Sequence, residues 1–219
     1  MKTNYPSSPV CYADQLEVSA PDDPASSESV RRWRRLQRER LLSERINAGG
    51  KQRKQWQEMI LPRLEQRLPT RPAMTIGFYW PFKGEVDCRR IVCELLQDGW
   101  TAALPAVVKC DAPLTFYRWA PSSKLVPGIW KIPVPEAEEV VQPDVLLIPL
   151  VGFDGGYYRL GYGGGYYDRT IAARSARPLC IGIGYEQGRL PSIVPQTHDI
   201  PMDCILTESV TMERHQGTV

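Results

Sequence analysis

The stretch from Arg159 to Arg169 reads RLGYGGGYYDR: four glycines, three tyrosines, two arginines, a leucine and an aspartate. Gly161, Gly163, Gly164 and Gly165 can adopt positive φ and let a ligand approach the main chain with no Cβ in the way. Successive bare amides leading into a helix form a concavity for anions. Arg159 adds a planar cation suited to phosphate oxygens. Asp168 adds a carboxylate of the kind that holds a magnesium ion bridging phosphates. The stretch therefore reads as a polyphosphate cradle. The competing reading is a plain glycine-rich turn in which Asp168 only serves the helix start. The common nucleotide signatures do not separate the two, because GxxxxGK[ST] is absent and Tyr166 stands where GxGxxG needs its last glycine.

The elements around this stretch decide where it would sit. Residues 144–153 (DVLLIPLVGF) form a near-continuous apolar run just before it, and YYDRTIAARSA (166–176) has helical character just after it. Further strands are expected at 74–80, 101–108, 114–119, 178–185 and 203–209, with a helix over 86–99. Apolar strands alternating with helices predict an α/β three-layer sandwich, a mostly parallel central sheet covered by helices on both faces. Ligands of such sheets bind beyond the carboxyl ends of the strands, which is where the glycine stretch falls. Upstream, an arginine-rich helix is expected from Ser29 to a Gly49-Gly50 stop, then a second helix over 51–68 that Pro62 should kink or split.

Composition limits the alternatives. The 219 residues suffice for one substantial core, read as a single domain over 29–219 behind a Pro/Ser/Asp-rich, disordered tail at 1–28. No run is long and apolar enough for a membrane helix and no secretory signal is recognisable, so a cytoplasmic protein is expected. The six cysteines form no CxxC pair and read as reduced thiols. A net charge of +2 exerts no global pull on nucleic acid, but charge is unevenly spread. Residues 1–28 carry one lysine against five acids, whereas 31–45 carry seven arginines against two glutamates. Nothing in the sequence sets an oligomeric state.

The run DVLLIPLVGFDGGYYRLGYGGGYYDR, followed by IGIGYEQ and VPQTHDIPMDCILTE, resembles the signature region of the 5-formyltetrahydrofolate cyclo-ligases, also called methenyltetrahydrofolate synthetases. FYWPFKGEVD (78–87) resembles the family's segment leading to a folate-contacting acid. The resemblance implies an ATP- and Mg2+-dependent conversion of 5-formyltetrahydrofolate to 5,10-methenyltetrahydrofolate, with release of ADP and phosphate. In that chemistry ATP converts the formyl oxygen, a poor leaving group, into a phosphate before N10 closes the ring. Such transfer asks the protein mainly for positioning and charge neutralisation. By the same resemblance Arg159 and Tyr167 would serve the reaction, and Arg159, Gly161, Gly163, Gly164, Gly165, Tyr166 and Tyr167 would line ATP. Trp80, Glu85, Tyr162, Gly163, Gly164, Gly165 and Tyr166 would contact the folate, and Asp168 and Asp199 would be the magnesium carboxylates.

The first helix departs from the pattern. Family members usually carry Lys-x-x-[apolar]-Arg there, both cations reaching ATP. In this chain the arginines offer Arg31 and Arg35 for those places, or Glu28 and Arg32 in another register, and neither register supplies the apolar residue. Some members place a lysine in the glycine loop where this chain has Gly164. These departures open a second reading, a relative that binds folate or nucleotide without turnover. A third, RNA association through the arginine helix, ranks lowest because the chain has no recognisable nucleic-acid module.

Overall fold

The computed structural model describes residues 20–70 and 74–214. The expected tail at 1–28 lies largely outside them. Helix α1 spans Ser27–Asn47. It starts two residues before the expected position because Ser26 is its cap, the side-chain oxygen accepting from the Ser29 amide at 3.3 Å. Gly49 takes φ +74° and starts α2, Gly49–Arg67, leaving Ala48 as the single joint between the helices. Pro62 lies inside α2 without splitting it. The buried Ile60, Leu61 and Leu64 beside it tie this segment to the core.

The remaining elements are β1 (Thr75–Gly77), α3 (Arg89–Gln97), β2 (Thr101–Ala106), β3 (Thr115–Trp119), β4 (Leu125–Pro127), β5 (Pro133–Pro135) and β6 (Val145–Pro149). After them come β7 (Gly152–Phe153), β8 (Arg159–Leu160), α4 (Tyr166–Ala172), β9 (Leu179–Ile183), β10 (Cys204–Leu206) and β11 (Thr211–Glu213). Seven strands form the main sheet in the order β11-β10-β9-β6-β1-β2-β3. The five inner strands run parallel, and the edge strands β3 and β11 pair antiparallel to their neighbours.

The sheet is covered on both faces, as the apolar runs predict. Along β6, Val145 and Leu147 join the cluster made with α2 and α3, while Leu146 and Ile148 join the opposite cluster with Ile171 of α4. That alternation is the period-two geometry of a strand buried on both sides. Leu147 and Ile148 are fully buried, each worth roughly 1.5–3 kcal/mol on transfer from water. α1 packs elsewhere. Its Trp33 and Leu41 meet Val151, Leu160, Leu190 and Ile193 in a third cluster, which locks the helix against the loops that follow β6.

Three expectations are corrected. The strand expected over 74–80 ends at Gly77, because both partners, β2 and β6, pair only with residues 75–77. The run 144–153 divides into β6 and the small β7–β8 pair, which turns the chain away from the sheet. The helix expected over 166–176 stops at Ala172. The β4–β5 hairpin and β11 were not expected from the sequence. The five described cysteines are free.

Candidate active site

A cavity of about 510 Å3 opens beyond the carboxyl ends of β1, β2 and β6. Leu104 and Pro105 from β2 and Pro149 from β6 form part of its wall. Because β1 ends early, Tyr79, Trp80, Phe82 and Glu85 peel off the sheet and line one side. The glycine loop between β8 and α4 lines the other, and α1 closes the end through Arg34 and Arg38.

Two glycines of the loop are required by backbone geometry. Gly163 has φ +98° and Gly165, the residue that caps α4, has φ +64°. Both conformations disfavour a side chain. Arg169 donates from Nη2 to the Gly164 carbonyl at 2.5 Å and lays its guanidinium over the Tyr166 ring, 5.0 Å from the centroid. The loop is thereby held from below. α4 has only seven residues, so its helix dipole adds little to the electrostatics of the loop beside the Arg159 and Arg34 cations.

Two arginine–aspartate pairs flank the loop. Arg159 Nη2 lies 2.8 Å from Asp168 Oδ2, with side-chain exposures of only 6% and 16%, and Arg159 also donates to the Ile200 carbonyl. Asp168 accepts from the Ile200 amide at 3.0 Å. Arg34 Nη2 lies 2.5 Å from Asp199 Oδ2, and its Nε donates to the Ile193 carbonyl. Burial acts to raise the Asp199 pKa, but hydrogen bonds from Arg34 and the Gln196 amide, with the Arg34 charge, outweigh it and hold the carboxylate below its ordinary range. Asp168 and Asp199, distant in sequence, face one cavity.

The opposite side is aromatic and less charged. Tyr162 donates its hydroxyl to Glu85 Oε1 at 2.7 Å, linking the glycine loop to the segment after β1. Glu85 Oε2 accepts from the Phe82 amide at 2.9 Å. Burial pushes the Glu85 pKa up to about 7, with the Tyr162 and Phe82 hydrogen bonds and the Arg45 charge acting the other way. Burial also raises Tyr162 and Tyr167, and the nearby Glu85 charge adds to both. Trp80 lines the cavity with the Arg89 guanidinium 4.6 Å from its ring centroid.

Every residue expected at the site faces this cavity except Arg31 and Arg35. Those two are exposed on the far side of α1. In their place the helix presents Arg34 and Arg38, on the stripe that continues to Leu41 and Arg45. The spacing 34, 38, 41, 45 could have revealed this, since Leu41 must face inward. The sequence reading also missed Trp130 and its hairpin neighbours Ile129, Ile132 and Val134. Trp130 sits at φ +55° with 62% exposure, edge-on to Tyr166 at 6.0 Å between centroids. An isolated tryptophan in a loop carries no periodic signal that would have found it. His198 lines the rim, its Nε2 3.9 Å from Asp199 Oδ1, and is 73% exposed.

The fold and cavity define a class: an α/β domain with a glycine loop flanked by arginine–aspartate pairs and facing an aromatic wall, beyond the carboxyl ends of a mostly parallel sheet. Comparison supplies the family. Residues 30–208 match the model of the 5-formyltetrahydrofolate cyclo-ligase family, and the chain belongs to that family. It is 30% identical over 152 residues to the 5-formyltetrahydrofolate cyclo-ligase of Escherichia coli K12, covering 66% of this chain and 84% of that one. The Saccharomyces cerevisiae 5-formyltetrahydrofolate cyclo-ligase is 32% identical over 151 residues, covering 57% of this chain and 70% of the yeast one. Among solved structures, the 5,10-methenyltetrahydrofolate synthetase of Aquifex aeolicus superposes with a TM-score of 0.73 at 28% identity, over 85% of this chain and 95% of that one.

With Arg34 in the cavity, the family's first-helix pattern fits a third register. Trp33 and Arg34 match its apolar–arginine pair, a register that would put the buried Val30 at the lysine position. No helix among the described residues is long and apolar enough to cross a membrane.

Proposed function

We propose that this chain converts 5-formyltetrahydrofolate to 5,10-methenyltetrahydrofolate at the expense of ATP, within the cavity described above, and that residues 29–219 act as one catalytic domain. The observation that carries the reading is the Tyr162–Glu85 hydrogen bond of 2.7 Å. It ties an anion-receiving loop to a carboxyl group set among aromatic rings, so a nucleotide's phosphates and a pterin would meet in one cavity.

Glu85 and the rings of Trp80 and Trp130 hold the folate, the carboxylate accepting from pterin N–H groups. Main-chain amides of Gly161, Gly163, Gly164 and Gly165 and the guanidinium of Arg159 face the phosphates. In the overall reaction the N10–carbon bond forms, the carbon–oxygen bond breaks, and the formyl oxygen leaves within inorganic phosphate. Arg159 would stabilise charge that grows on the transferring phosphoryl oxygens, and its pair with Asp168 fixes its position. Tyr167, its phenol kept neutral by burial, donates without becoming an anion. Tyr162 and Tyr166 cover the loop and exclude water.

Magnesium fits the residues present. Of the three acids that line the cavity, only Asp168 and Asp199 lie at the glycine-loop end, and the described residues contain no cluster of three or more His, Cys, Asp or Glu groups that could hold a metal. That suits an ion that takes few protein ligands and completes its shell with phosphate and water, and it does not suit a structural zinc or calcium cage. Asp168 and Asp199 would hold it, and it would supply charge neutralisation on the phosphates.

The decisive assay mixes the purified chain with 5-formyltetrahydrofolate and Mg-ATP and follows the methenyl chromophore together with ADP. Product that requires ATP and is lost with Asp168→Ala supports the reading; tight folate binding with no product supports binding without turnover. That second reading has one observation in its favour, Val30 at the position of the first-helix lysine. RNA association is disfavoured by geometry. Of the seven arginines between 31 and 45, Arg34, Arg38 and Arg45 turn inward, and Arg40 is paired with Glu44 at 2.8 Å.

A further inference from the structure

Three arginines line the cavity, and the protein neutralises only two of them. Arg34 is paired with Asp199 and Arg159 with Asp168. Arg38 has no carboxylate partner among the described residues. Its Nε donates to the Gly161 carbonyl at 2.7 Å, which pins the guanidinium against the glycine loop. The carbon and one terminal nitrogen of that guanidinium lie 3.4 Å from where a Cβ of Gly163 would stand, which places the fork in van der Waals reach of the loop. Nη1 and Nη2 have no protein acceptor among the described residues, although both belong to a group that lines the cavity. Burial lowers the Arg38 pKa, the Arg34 charge lowers it further, and the Asp199 charge acts the other way without outweighing them. A cation kept half out of water, beside another cation and with no carboxylate in ion-pair contact, is a group whose environment improves when an anion arrives.

We propose that Arg38 receives the phosphate chain of the nucleotide: Nε stays on Gly161 while Nη1 and Nη2 donate to phosphate oxygens lying across the glycine loop. The planar fork permits this division of labour, since a guanidinium can hold a carbonyl on one edge and an oxyanion on another. Arg34, committed to Asp199 and to two main-chain carbonyls, has fewer donors to spare. The inference rests on the ATP-dependent reading above and assigns a cation that Arg31 and Arg35 cannot supply from the outer face of α1.

The test is equilibrium binding of a non-hydrolysable ATP analogue, with magnesium, to the full chain and to Arg38→Gln, Arg38→Lys and Arg35→Gln, with 5-formyltetrahydrofolate binding and thermal midpoints measured in parallel. Arg38→Gln should weaken nucleotide binding roughly tenfold or more, as expected for losing charge-assisted hydrogen bonds. Arg38→Lys should fall between, because an ammonium keeps the charge but lacks the planar fork that serves the Gly161 carbonyl on one edge and phosphate oxygens on another. Arg35→Gln should match the unaltered chain, and folate affinity should stay within about twofold throughout. Unchanged nucleotide affinity in Arg38→Gln, or in Arg38→Lys should the glutamine variant not fold, overturns the assignment. A chain that binds folate but no nucleotide at all overturns the ATP reading itself and this inference with it.

Discussion

The two ends of the cavity are built on different principles. At the glycine-loop end, buried arginine–aspartate pairs, main-chain hydrogen bonds and two positive-φ glycines fix every charged group before a ligand arrives. At the aromatic end, Glu85 has a pKa near 7, Tyr162 is 43% exposed, and Trp130 stands out on a hairpin with little packing. Under the proposed function, one end is preorganised for charge that is always present on a nucleotide. The other is adaptable, and its one carboxyl changes charge in the physiological range. Preorganised charge suits phosphoryl transfer, where donors must be aimed before charge develops. An adaptable apolar wall suits a flat ring system whose binding derives from area and stacking.

The largest expected effect lies at the preorganised end. Asp168→Ala leaves a buried Arg159 unpaired, so unfolding by denaturant should show a loss of about 3 kcal/mol or more, with turnover falling at least a hundredfold. Equal stability in this variant would mean that the pair is not structural. At the aromatic end, Glu85→Gln should raise the KM for the folate roughly tenfold and leave nucleotide affinity unchanged, since a charged acceptor is lost from one end only.

The pH dependence sharpens the contrast. Folate affinity of the free enzyme should rise with pH through about 7 as the Glu85 carboxylate forms, and the Gln variant should lose that rise. Stability runs the opposite way. With its folded pKa raised from 4.5 to about 7, the neutral Glu85 stabilises the ligand-free protein fully below 4.5, and that contribution fades as pH climbs through 7. The smallest effect should come from Trp130→Gly, which relieves a positive-φ side chain and removes one ring: roughly a threefold to tenfold loss of folate affinity, at no cost in thermal midpoint. Quenching of Trp130 fluorescence by the folate would show the contact directly.

Much of this was legible in the sequence, for identifiable reasons. The inner strands announced themselves because a parallel strand buried on both faces is apolar at every position, as Val145 to Ile148 are. The glycine loop was legible because positive φ and close approach select one residue type. The orientation of α1 was not. Val30, Trp33 and Leu41 mark an apolar side, but Arg34 and Arg45 are buried by an ion pair or main-chain hydrogen bonds rather than by hydrophobicity, so that side alone did not say which arginines turn inward. The β4–β5 hairpin stayed hidden because its prolines, Pro127, Pro133 and Pro135, read as loop, yet the two short strands tolerate them.

The central claim is that one cavity accepts a folate at its aromatic end and a nucleotide at its charged end at the same time. The most direct measurement titrates 5-formyltetrahydrofolate into the chain with and without a saturating, non-hydrolysable ATP analogue and magnesium. Simultaneous binding, with folate affinity equal or greater when the analogue is present, is the predicted result. Mutual exclusion of the two ligands would contradict the account.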